Sequence, residues 1–298
     1  MRCATRLPRV GERALLIYNP AAGKRTAEDG DLAECVRLLL AAGFDIETRQ
    51  TGAEHPTSAE LAKGAIAEGF SAVIVAGGDG TVAPAAEALL DSPITLGILP
   101  FGSFMNVAKG LGIPLEPIDA ARLIAERKLK RCDVGEVGKK VFFETCGIGL
   151  DADAFGAARL VERGRWAGAW RRLVRWATAS PHRIEITIDG RTARYEVLQV
   201  LIVNSPYYAW ALPVVPRADM TDGALDVALF PRMGRRDLIR SLVEIWLRGR
   251  PGTPPRTQRG KVIEITSSER IPVHADGQIA GQLPVTVRCR AGALRVYG

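Results

Sequence analysis

Three segments rich in glycine or containing asparagine follow predicted strands, and backbone in such segments can bind phosphate. The segment from Gly77 to Val82 lies between the apolar run Ala72 to Val75 and a helical stretch. Its glycines let the chain turn sharply and bring N–H groups close to phosphate oxygens, while the helix N-terminus adds partial positive charge. Asn19 to Lys24 and Pro100 to Asn106 follow two further strands. Because ligands bind beyond the carboxyl ends of strands in open α/β sheets, we expect one shared phosphate site.

Each candidate feature also has a purely structural interpretation when it is considered alone. The Gly77 segment could be a tight turn capped by Asp79, and it matches neither GxxxxGK[ST] nor GxGxxG, which excludes a Walker loop and a dinucleotide fingerprint. Asp219 and Asp222 are typical of a solvated turn before a strand. Asp133 alone is an ordinary strand-end carboxylate. The histidines have neither metal-ligand spacing nor a Ser or Cys partner, which favours surface or core roles: His55, His182 and His274.

The first part of the chain alternates short apolar runs with amphipathic stretches, which predicts an α/β fold with an open, parallel sheet. We assign residues 1–131 to an N-terminal α/β nucleotide-binding domain. The predicted strands are Ala14 to Tyr18, Asp45 to Thr48, Ala72 to Val75 and Thr95 to Leu99. The predicted helices are Asp31 to Ala42, Thr57 to Glu68, Ala83 to Leu90 and Ile118 to Glu126. Thr57 with Glu60 three residues later predicts a capping box.

The rest of the chain, residues 132–298, has β-branched alternation that predicts a mostly antiparallel, β-sandwich-like second domain, with the last residues free to return to the first. The predicted strands include Arg183 to Ile188, Tyr195 to Val203, Ala224 to Phe230, Lys261 to Ser267 and Pro284 to Arg290. Two helices interrupt them, Phe155 to Thr178 and Arg235 to Leu247, and the Pro/Gly/Arg segment Gly249 to Gly260 is predicted to be a mobile loop.

Composition limits the classes of protein. The chain has 298 residues, of which 47% are hydrophobic and 24% charged, and this mix is typical of a globular protein with two domains. Its five cysteines form no CxxC pair, so neither a disulfide framework nor a zinc site is indicated and a reducing cytoplasm fits best. No signal peptide and no spanning helix are predicted. The net charge of +7 favours an anionic partner.

The motifs, taken in order, resemble the diacylglycerol kinase catalytic-domain family, which includes bacterial lipid kinases and sphingosine kinases. The resemblance runs from about Ala14 to the end of the sequence. It rests on NPAAGK from Asn19, GGDGTV from Gly77, LGILPFGS from Leu96, LGIP from Leu111, Asp133-Val134-Gly135, GIGLDA from Gly147, Pro216-x-Ala218, Asp222-Gly223-x-Leu225-Asp226 and Asp276-Gly277.

This resemblance implies an ATP- and Mg²⁺-dependent kinase, with both cofactors in a cleft between the domains, that transfers the γ-phosphoryl group to the hydroxyl of a diacylglycerol-like lipid. The implied nucleotide contacts are Asn19, Pro20, Ala21, Ala22, Gly23, Thr51, Gly77, Gly78, Asp79, Gly80, Thr81 and Ser103. The side chains of Asp219 and Asp222 and the carbonyl of Ala224 stand where relatives hold a structural Mg²⁺, an ion that prefers oxygen ligands. Asp79, Asp133 and Asp276 are the carboxylates expected near the phosphates.

The chain departs from the family pattern at several of these positions. Ala83-Pro84 replaces the usual Asn-Glu, Met105-Asn106 replaces Asn-Asp, and Ser103 replaces Thr. Gln278 stands where relatives have the Glu that acts as general base, and an amide cannot accept a proton at neutral pH. Either Asp276 or Asp79 then serves as base, or positioning and metal carry the reaction. The alternative is a catalytically weak or inactive relative that binds nucleotide or lipid.

A basic, Trp-containing stretch from Arg159 to Arg183 is the candidate membrane contact. On a helix, Trp166 and Trp170 share one face and arginines occupy much of the remainder, which suits an anionic bilayer surface; a core-packed helix with a solvated Arg face explains it equally well. We therefore expect a cytoplasmic protein, peripheral on the inner membrane face, with a lipid substrate. A soluble acceptor, as for NAD kinases, explains this stretch less well, and no nucleic-acid recognition module is found. The oligomeric state is left open, with a homodimer among the options.

Overall fold

The computed structural model describes residues 11–20, 30–149, 180–208, 212–213, 215–231 and 255–298. Contacts divide the chain into two compact units, the first containing Met1–Cys132 and Ala293–Gly298, the second Asp133–Gly292.

The helices in the described ranges are α1 Asp31–Ala41, α2 Ser58–Ala67, α3 Asp79–Ala88, α4 Asn106–Gly110 and α5 Pro117–Ala125. The strands there are β1 Glu12–Tyr18, β2 Phe44–Gln50, β3 Ala72–Gly77, β4 Thr95–Pro100, β5 Leu129–Val137, β6 Lys140–Phe142, β7 Thr145–Gly149, β8 His182–Ile188, β9 Arg191–Val197, β10 Gln199–Val203, β11 Tyr207–Tyr208, β12 Leu212–Pro213, β13 Leu225–Phe230, β14 Arg256–Gly260, β15 Val262–Thr266, β16 Pro272–Ala275, β17 Gln278–Gln282 and β18 Val285–Tyr297.

The first unit is built on a parallel sheet in the order β2-β1-β3-β4. Strands β3 and β4 are buried along their whole length, as expected for apolar runs covered on both faces. The helices pack in pairs, α1 with α5 and α2 with α3, which is the result of right-handed crossovers that place helices on both faces. The capping box at Thr57 and Glu60 is confirmed and begins α2.

Helix α3 begins four residues earlier than predicted. The carbonyl of Gly78 accepts the N–H groups of Thr81 (2.8 Å) and Val82 (2.9 Å), so helical hydrogen bonding starts inside the glycine motif. Pro84 therefore lies within α3 and does not precede it. The predicted six-residue loop is in fact a strand end, one extended glycine and a helix N-terminus, which places the first helical N–H groups beside the glycines.

The C-terminal strand completes the sheet of the first unit. The end of β18 pairs in parallel with β4, Arg295 opposite Thr95 and Val296 opposite Leu96. The Tyr297 side chain is buried, its hydroxyl donates to the Glu12 carboxylate, and its ring lies edge-on to Phe44. These contacts connect the last residues of the chain to β4, β1 and β2.

The second unit contains two sheets that face each other across one apolar core. One contains β9, β8, β15 and the first part of β18, together with β5, which pairs with β18, and β6, which pairs with β5. The other has the order β14-β13-β10-β7-β16-β17 with antiparallel pairing throughout. Alternate residues of both sheets, such as Ile186, Ile263, Ile202 and Val227, form the core between them. The predicted fold class, α/β followed by an antiparallel β-sandwich-like domain, is confirmed.

Two predictions for the second unit need correction. The single strand predicted for Tyr195 to Val203 is two strands, because the chain leaves β9 in one sheet at Leu198 and enters the other sheet as β10. The last part of the predicted mobile loop, Arg256–Gly260, is strand β14 and pairs with β13. Cross-strand pairing outweighs the loop-like composition at this position.

Several predicted features lie outside the described residues. These are the helices Phe155 to Thr178 and Arg235 to Leu247, the loop residues 249–254 and the part of the Arg159 to Arg183 stretch before residue 180. None of the helices in the described ranges combines the length and apolar character needed to span a bilayer.

Candidate functional site

The carboxyl ends of β1, β3 and β4 lie side by side in the first unit. Gly77, the last residue of β3, pairs with Pro100, the last residue of β4. The contact continues past the strand ends, because the N–H of Phe101 donates to the carbonyl of Gly77 (3.2 Å) and the N–H of Asn19 donates to the carbonyl of Ala76 (3.2 Å). The three segments that follow these strands therefore start from one sheet edge, as predicted.

Glycine is required where the second and third segments touch. A Cβ on Gly102 would lie 2.3 Å from the Cα of Gly78, so the two backbones approach more closely than any other residue type permits. A Cβ on Gly77 would lie 2.8 Å from the Thr81 side chain. Gly80, in contrast, faces open space, since an added Cβ meets no atom within 4 Å. The motif thus packs tightly at Gly77 and Gly78 and leaves open space beside Gly80 at the N-terminus of α3.

The side chains of Asn19 and Thr81 meet at this edge. The amide Nδ2 of Asn19 donates to the hydroxyl of Thr81 (3.4 Å), and Thr81 is buried at the start of α3. Thr51 follows β2 at the same edge and is also buried; its N–H donates to the carbonyl of Tyr18 (2.9 Å) and its hydroxyl to that of Pro56 (2.7 Å). These side chains are held in place by neighbouring strand ends, which suits a preorganised site.

The carboxylate of Asp79 joins the second and third segments. Its two oxygens accept the N–H groups of Asn106 (3.1 Å) and Val107 (3.3 Å), so Asp79 caps the short helix α4. Met105, just before that helix, has a left-handed conformation with a φ of 52°. Asp79 is partly exposed, and a carboxylate with two bonds retains further acceptor capacity for a metal-bound water or a ligand hydroxyl.

Most of the predicted nucleotide contacts are therefore brought to one sheet edge. Those described are Asn19, Pro20, Thr51, Gly77, Gly78, Asp79, Gly80, Thr81 and Ser103, the last of which is exposed; Ala21, Ala22 and Gly23 lie outside the described residues. The close glycine contact and the open space beside Gly80 fit a phosphate group at the α3 N-terminus. Their role as nucleotide contacts stays a prediction.

Asp133 is a buried carboxylate in the second unit. It is 2 % exposed, and its oxygens accept the N–H groups of Gly223 and Gly292, both at 2.6 Å. Burial raises the pKa of Asp133; these two bonds oppose the increase, and the negative charges of Asp222 and Asp219 add to it. Asp133 thus connects the loop before β13 with Gly292 in β18. Its predicted place near the phosphates stays a prediction.

Asp276 and Gln278 belong to one hairpin of the second unit. Asp276 starts the turn between β16 and β17, and its carboxylate accepts three consecutive backbone N–H groups, those of Phe143 (2.7 Å), Glu144 (3.0 Å) and Thr145 (2.9 Å). Gln278 is exposed, and its side-chain carbonyl accepts the ammonium of Lys140 at 3.2 Å. Asp276 therefore holds the segment between β6 and β7, while the family's base position carries a neutral amide beside a cation.

The predicted Mg²⁺ ligands form a hydrogen-bonded loop before β13. Asp219 Oδ1 accepts the N–H (2.9 Å) and hydroxyl (2.7 Å) of Thr221, Asp222 Oδ1 accepts the N–H of Ala224 (3.2 Å), and Asp222 Oδ2 pairs with the guanidinium of Arg259. Within the described ranges, no three His, Cys, Asp or Glu side chains converge on a metal position. This arrangement fits a divalent cation at the loop poorly, because a guanidinium already neutralises Asp222.

Sequence reasoning missed three buried polar side chains of the second unit, which lie in β7, directly after β10 and in β16. Thr145 Oγ1, Asn204 Oδ1 and His274 Nδ1 are buried and have no hydrogen-bond partner among the described residues. Burial lowers the pKa of His274. Only Asn204 could have been found from the sequence, as a polar residue directly after the apolar run of β10. Thr145 and His274 lie in strand sequences that do not indicate a buried polar group.

Two family models together match nearly the whole chain. The model "Diacylglycerol kinase catalytic domain" matches residues 13–137, and "YegS C-terminal NAD kinase beta sandwich-like domain" matches residues 146–298. The first match contains the glycine motif and the sheet edge described above. The second contains the hairpin of Asp276 and the loop with Asp219 and Asp222 before β13, called the acidic loop below.

Individual relatives agree with these models. A probable lipid kinase YegS-like protein of Pseudomonas fluorescens is 30% identical over 292 residues, covering 96% of this chain and 95% of its own. A diacylglycerol kinase of Bacillus subtilis is 26% identical over 282 residues, covering 92% of each chain. The crystal structure of a diacylglycerol kinase of Bacillus anthracis has a TM-score of 0.77 at 25% identity and covers 96% of each chain. The chain belongs to the diacylglycerol kinase catalytic-domain family, a family of lipid kinases.

Proposed function

We propose that this protein transfers the γ-phosphoryl group of ATP, with Mg²⁺, to the hydroxyl of a diacylglycerol-like lipid. The observation that supports this most strongly is the sheet edge of the first unit, where Gly78 touches Gly102 and the space beside Gly80 is open. Such an edge suits a phosphorylated ligand, because backbone N–H groups and a helix N-terminus meet there without side chains in the way.

In this proposal, the residues of the first unit bind and orient the nucleotide. The amide of Asn19 and the hydroxyl of Thr81 offer polar contacts beside the α3 N-terminus. Asp79 keeps the segment from Phe101 to Met105 in place through its two bonds to α4 and retains acceptor capacity toward the ligand. Bound Mg²⁺ would neutralise charge on the phosphate oxygens. Positioning of this kind supplies much of the rate in phosphoryl transfer.

No strong general base is required in this proposal. Gln278 cannot accept the proton of the acceptor hydroxyl, and the oxygens of Asp276 already hold three backbone N–H groups. Phosphoryl transfer passes through a loose transition state in which the acceptor hydroxyl keeps its proton until late, so a precisely held acceptor suffices. Because Asp79 holds only two N–H groups, against three for Asp276, it keeps more acceptor capacity toward the hydroxyl of the lipid.

The lipid acceptor is proposed from the names of the relatives, which are diacylglycerol kinases and probable lipid kinases. A lipid substrate requires contact with a bilayer, and the net charge of +7 favours an anionic surface at the inner face of a cytoplasmic membrane. We propose the Arg159 to Arg183 stretch as this contact. Replacement of Trp166 and Trp170 by Ala should weaken binding to anionic vesicles in sedimentation assays; unchanged binding by a folded variant would exclude this contact.

Phosphate transfer from γ-labelled ATP tests the function directly. The assay uses Mg²⁺ and mixed micelles containing diacylglycerol, monoacylglycerol, a sphingoid base or phosphatidylglycerol. Wild type should label one of these lipids, and Asp79→Asn should lose most of that activity. Asp119→Asn is the matched control, because Asp119 is an exposed carboxylate of the same unit that pairs with Arg122 on the surface of α5.

Gln278→Glu separates the active enzyme from the alternative. A silent wild type with activity in Gln278→Glu would mean that the chain is a lapsed kinase that only binds its ligands. Silence in both, although ATP still binds, would contradict the proposed transfer to these lipids.

A further inference from the structure

The loop before β13 concentrates negative charge in a small volume. Asp219, Asp222 and Asp226 lie within eight positions of the sequence, and the buried carboxylate of Asp133 accepts the N–H of Gly223 inside the same loop. Asp226 is itself 6 % exposed. Asp133 and Asp226 are buried, whereas Asp219 and Asp222 are exposed. Because the buried carboxylates are poorly solvated and lie close to further negative charge, a neighbouring cation stabilises this group.

Arg259 is placed to be that cation. In the antiparallel pairing of β13 with β14, Asp226 lies directly opposite Arg259. The guanidinium of Arg259 also pairs with Asp222 Oδ2, and Asp222 lies in the loop just before β13. The positive charge of Arg259 is thus placed beside Asp226 of the strand and Asp222 of the loop.

The carboxylate oxygens of the loop are largely committed to the protein itself. Asp219 Oδ1 accepts two groups of Thr221, and Asp222 Oδ1 accepts the N–H of Ala224. With Asp222 Oδ2 bound to Arg259, an incoming ion would find few of the roughly six oxygen ligands that Mg²⁺ demands. A divalent cation would have to displace the guanidinium.

From these contacts we propose that Arg259 is the built-in counter-ion of the acidic loop, so that the loop keeps its fold without the structural divalent cation that the family resemblance implies at Asp219 and Asp222. The planar guanidinium, which remains charged at all relevant pH values, suits this position because it can donate to the loop and the strand together. This inference concerns the loop of the second unit and does not depend on the proposed kinase activity.

Thermal unfolding without nucleotide tests the proposal. Wild type should have the same melting temperature in EDTA and in millimolar Mg²⁺ at matched ionic strength. Arg259→Ala should melt roughly 2–4 °C lower in EDTA and should recover part of this loss in Mg²⁺, because Asp222 Oδ2 becomes available. The recovery should disappear in Arg259→Ala combined with Asp219→Asn. Arg256→Ala is the matched control, since Arg256 is on the same strand and pairs with Leu229, away from the loop.

Two results would overturn the proposal. One is a melting temperature of wild type that falls in EDTA and returns with Mg²⁺; the other is a folded Arg259→Ala variant that gains no response to Mg²⁺. If Arg259→Ala does not fold, Mn²⁺ binding to wild type, followed by electron paramagnetic resonance, decides the question. A bound Mn²⁺ that Asp219→Asn removes would contradict the proposal, and the absence of such a site would support it.

Discussion

Carboxylates in the two units are held by backbone N–H groups over very different distances along the chain. Asp79 in the first unit accepts N–H groups 27 and 28 residues away, both at the start of one short helix. Asp133 in the second unit joins residues 90 and 159 positions away, and Asp276 holds a segment 131 to 133 positions away. Asp79 therefore orders its own site, whereas the other two connect remote parts of a β-sandwich. An acidic residue at a family motif position need not be a reacting group.

Asp276→Asn should have the largest effect on stability. The amide has only one acceptor oxygen and turns an N–H₂ group toward backbone donors, so at least one of the three N–H groups loses its partner. We expect a loss of about 2–4 kcal/mol in the free energy of unfolding, measured by urea denaturation. Asn tolerates the left-handed conformation of this position, so backbone strain does not confuse the result. Wild-type stability together with lost lipid phosphorylation would show that Asp276 is a reacting group and would break the comparison.

Gly102→Ala tests whether the first unit depends on close backbone contact. The added Cβ would lie 2.3 Å from the Cα of Gly78, so one segment must move. We expect a destabilisation of about 1–3 kcal/mol together with weaker ATP binding by calorimetry. Gly80→Ala is the matched control within the same site, because its Cβ meets open space and should leave the stability almost unchanged. Equal unfolding midpoints for the two variants would contradict the described contact.

Asp79→Asn should cost less stability than Asp276→Asn and more activity. Only one of the N–H groups of Asn106 and Val107 keeps an acceptor, which predicts a loss of about 1 kcal/mol. The measurement compares the urea midpoint with the rate of phosphate transfer in both variants. If Asp79→Asn were the more destabilising of the two variants, the comparison would be wrong, because Asp276 and not Asp79 is expected to hold remote parts of the fold together.

His274 should give the second unit a small dependence of stability on pH. Burial lowers its folded-state pKa below the unfolded value of 6.5, so the unfolded chain binds the proton first and stability is lost as the pH falls below about 6.5 toward the folded-state pKa. His274→Gln removes this contribution. Urea midpoints at about pH 7.5 and about pH 5.5 should therefore differ less in the variant than in wild type; the same difference in both would contradict this role of His274.

Local patterns predicted much of the first unit. Strands β3 and β4 begin at the predicted residues, because continuous apolar runs between turn residues leave little ambiguity. The capping box at Thr57 depends on two residues only three positions apart, so it could also be predicted from the local sequence. The shared sheet edge was also predicted, because the segments that follow the strands of an open α/β sheet form its ligand site at the carboxyl ends of the strands.

Other features depend on pairing across long stretches of sequence and have no local signal. The contact of Gly78 with Gly102 requires β3 and β4 to be neighbours, and the pair of Asp222 with Arg259 requires the register of β13 and β14. The switch of sheets at Leu198 likewise interrupts what reads as one continuous strand. Motif positions identified these segments through resemblance, but only the folded arrangement assigns their side chains to hydrogen bonds.

The return of β18 to the first unit has a consequence for biosynthesis. On the ribosome, residues 293–298 emerge only after the whole second unit, so β4 waits with an unpaired edge while more than half of the protein is made. An apolar strand with a free edge is a site for wrong pairing between nascent chains. Expression of the first unit alone, from residues 1–132, would leave that edge permanently open, and appending β18 residues to such a fragment is the way to close it.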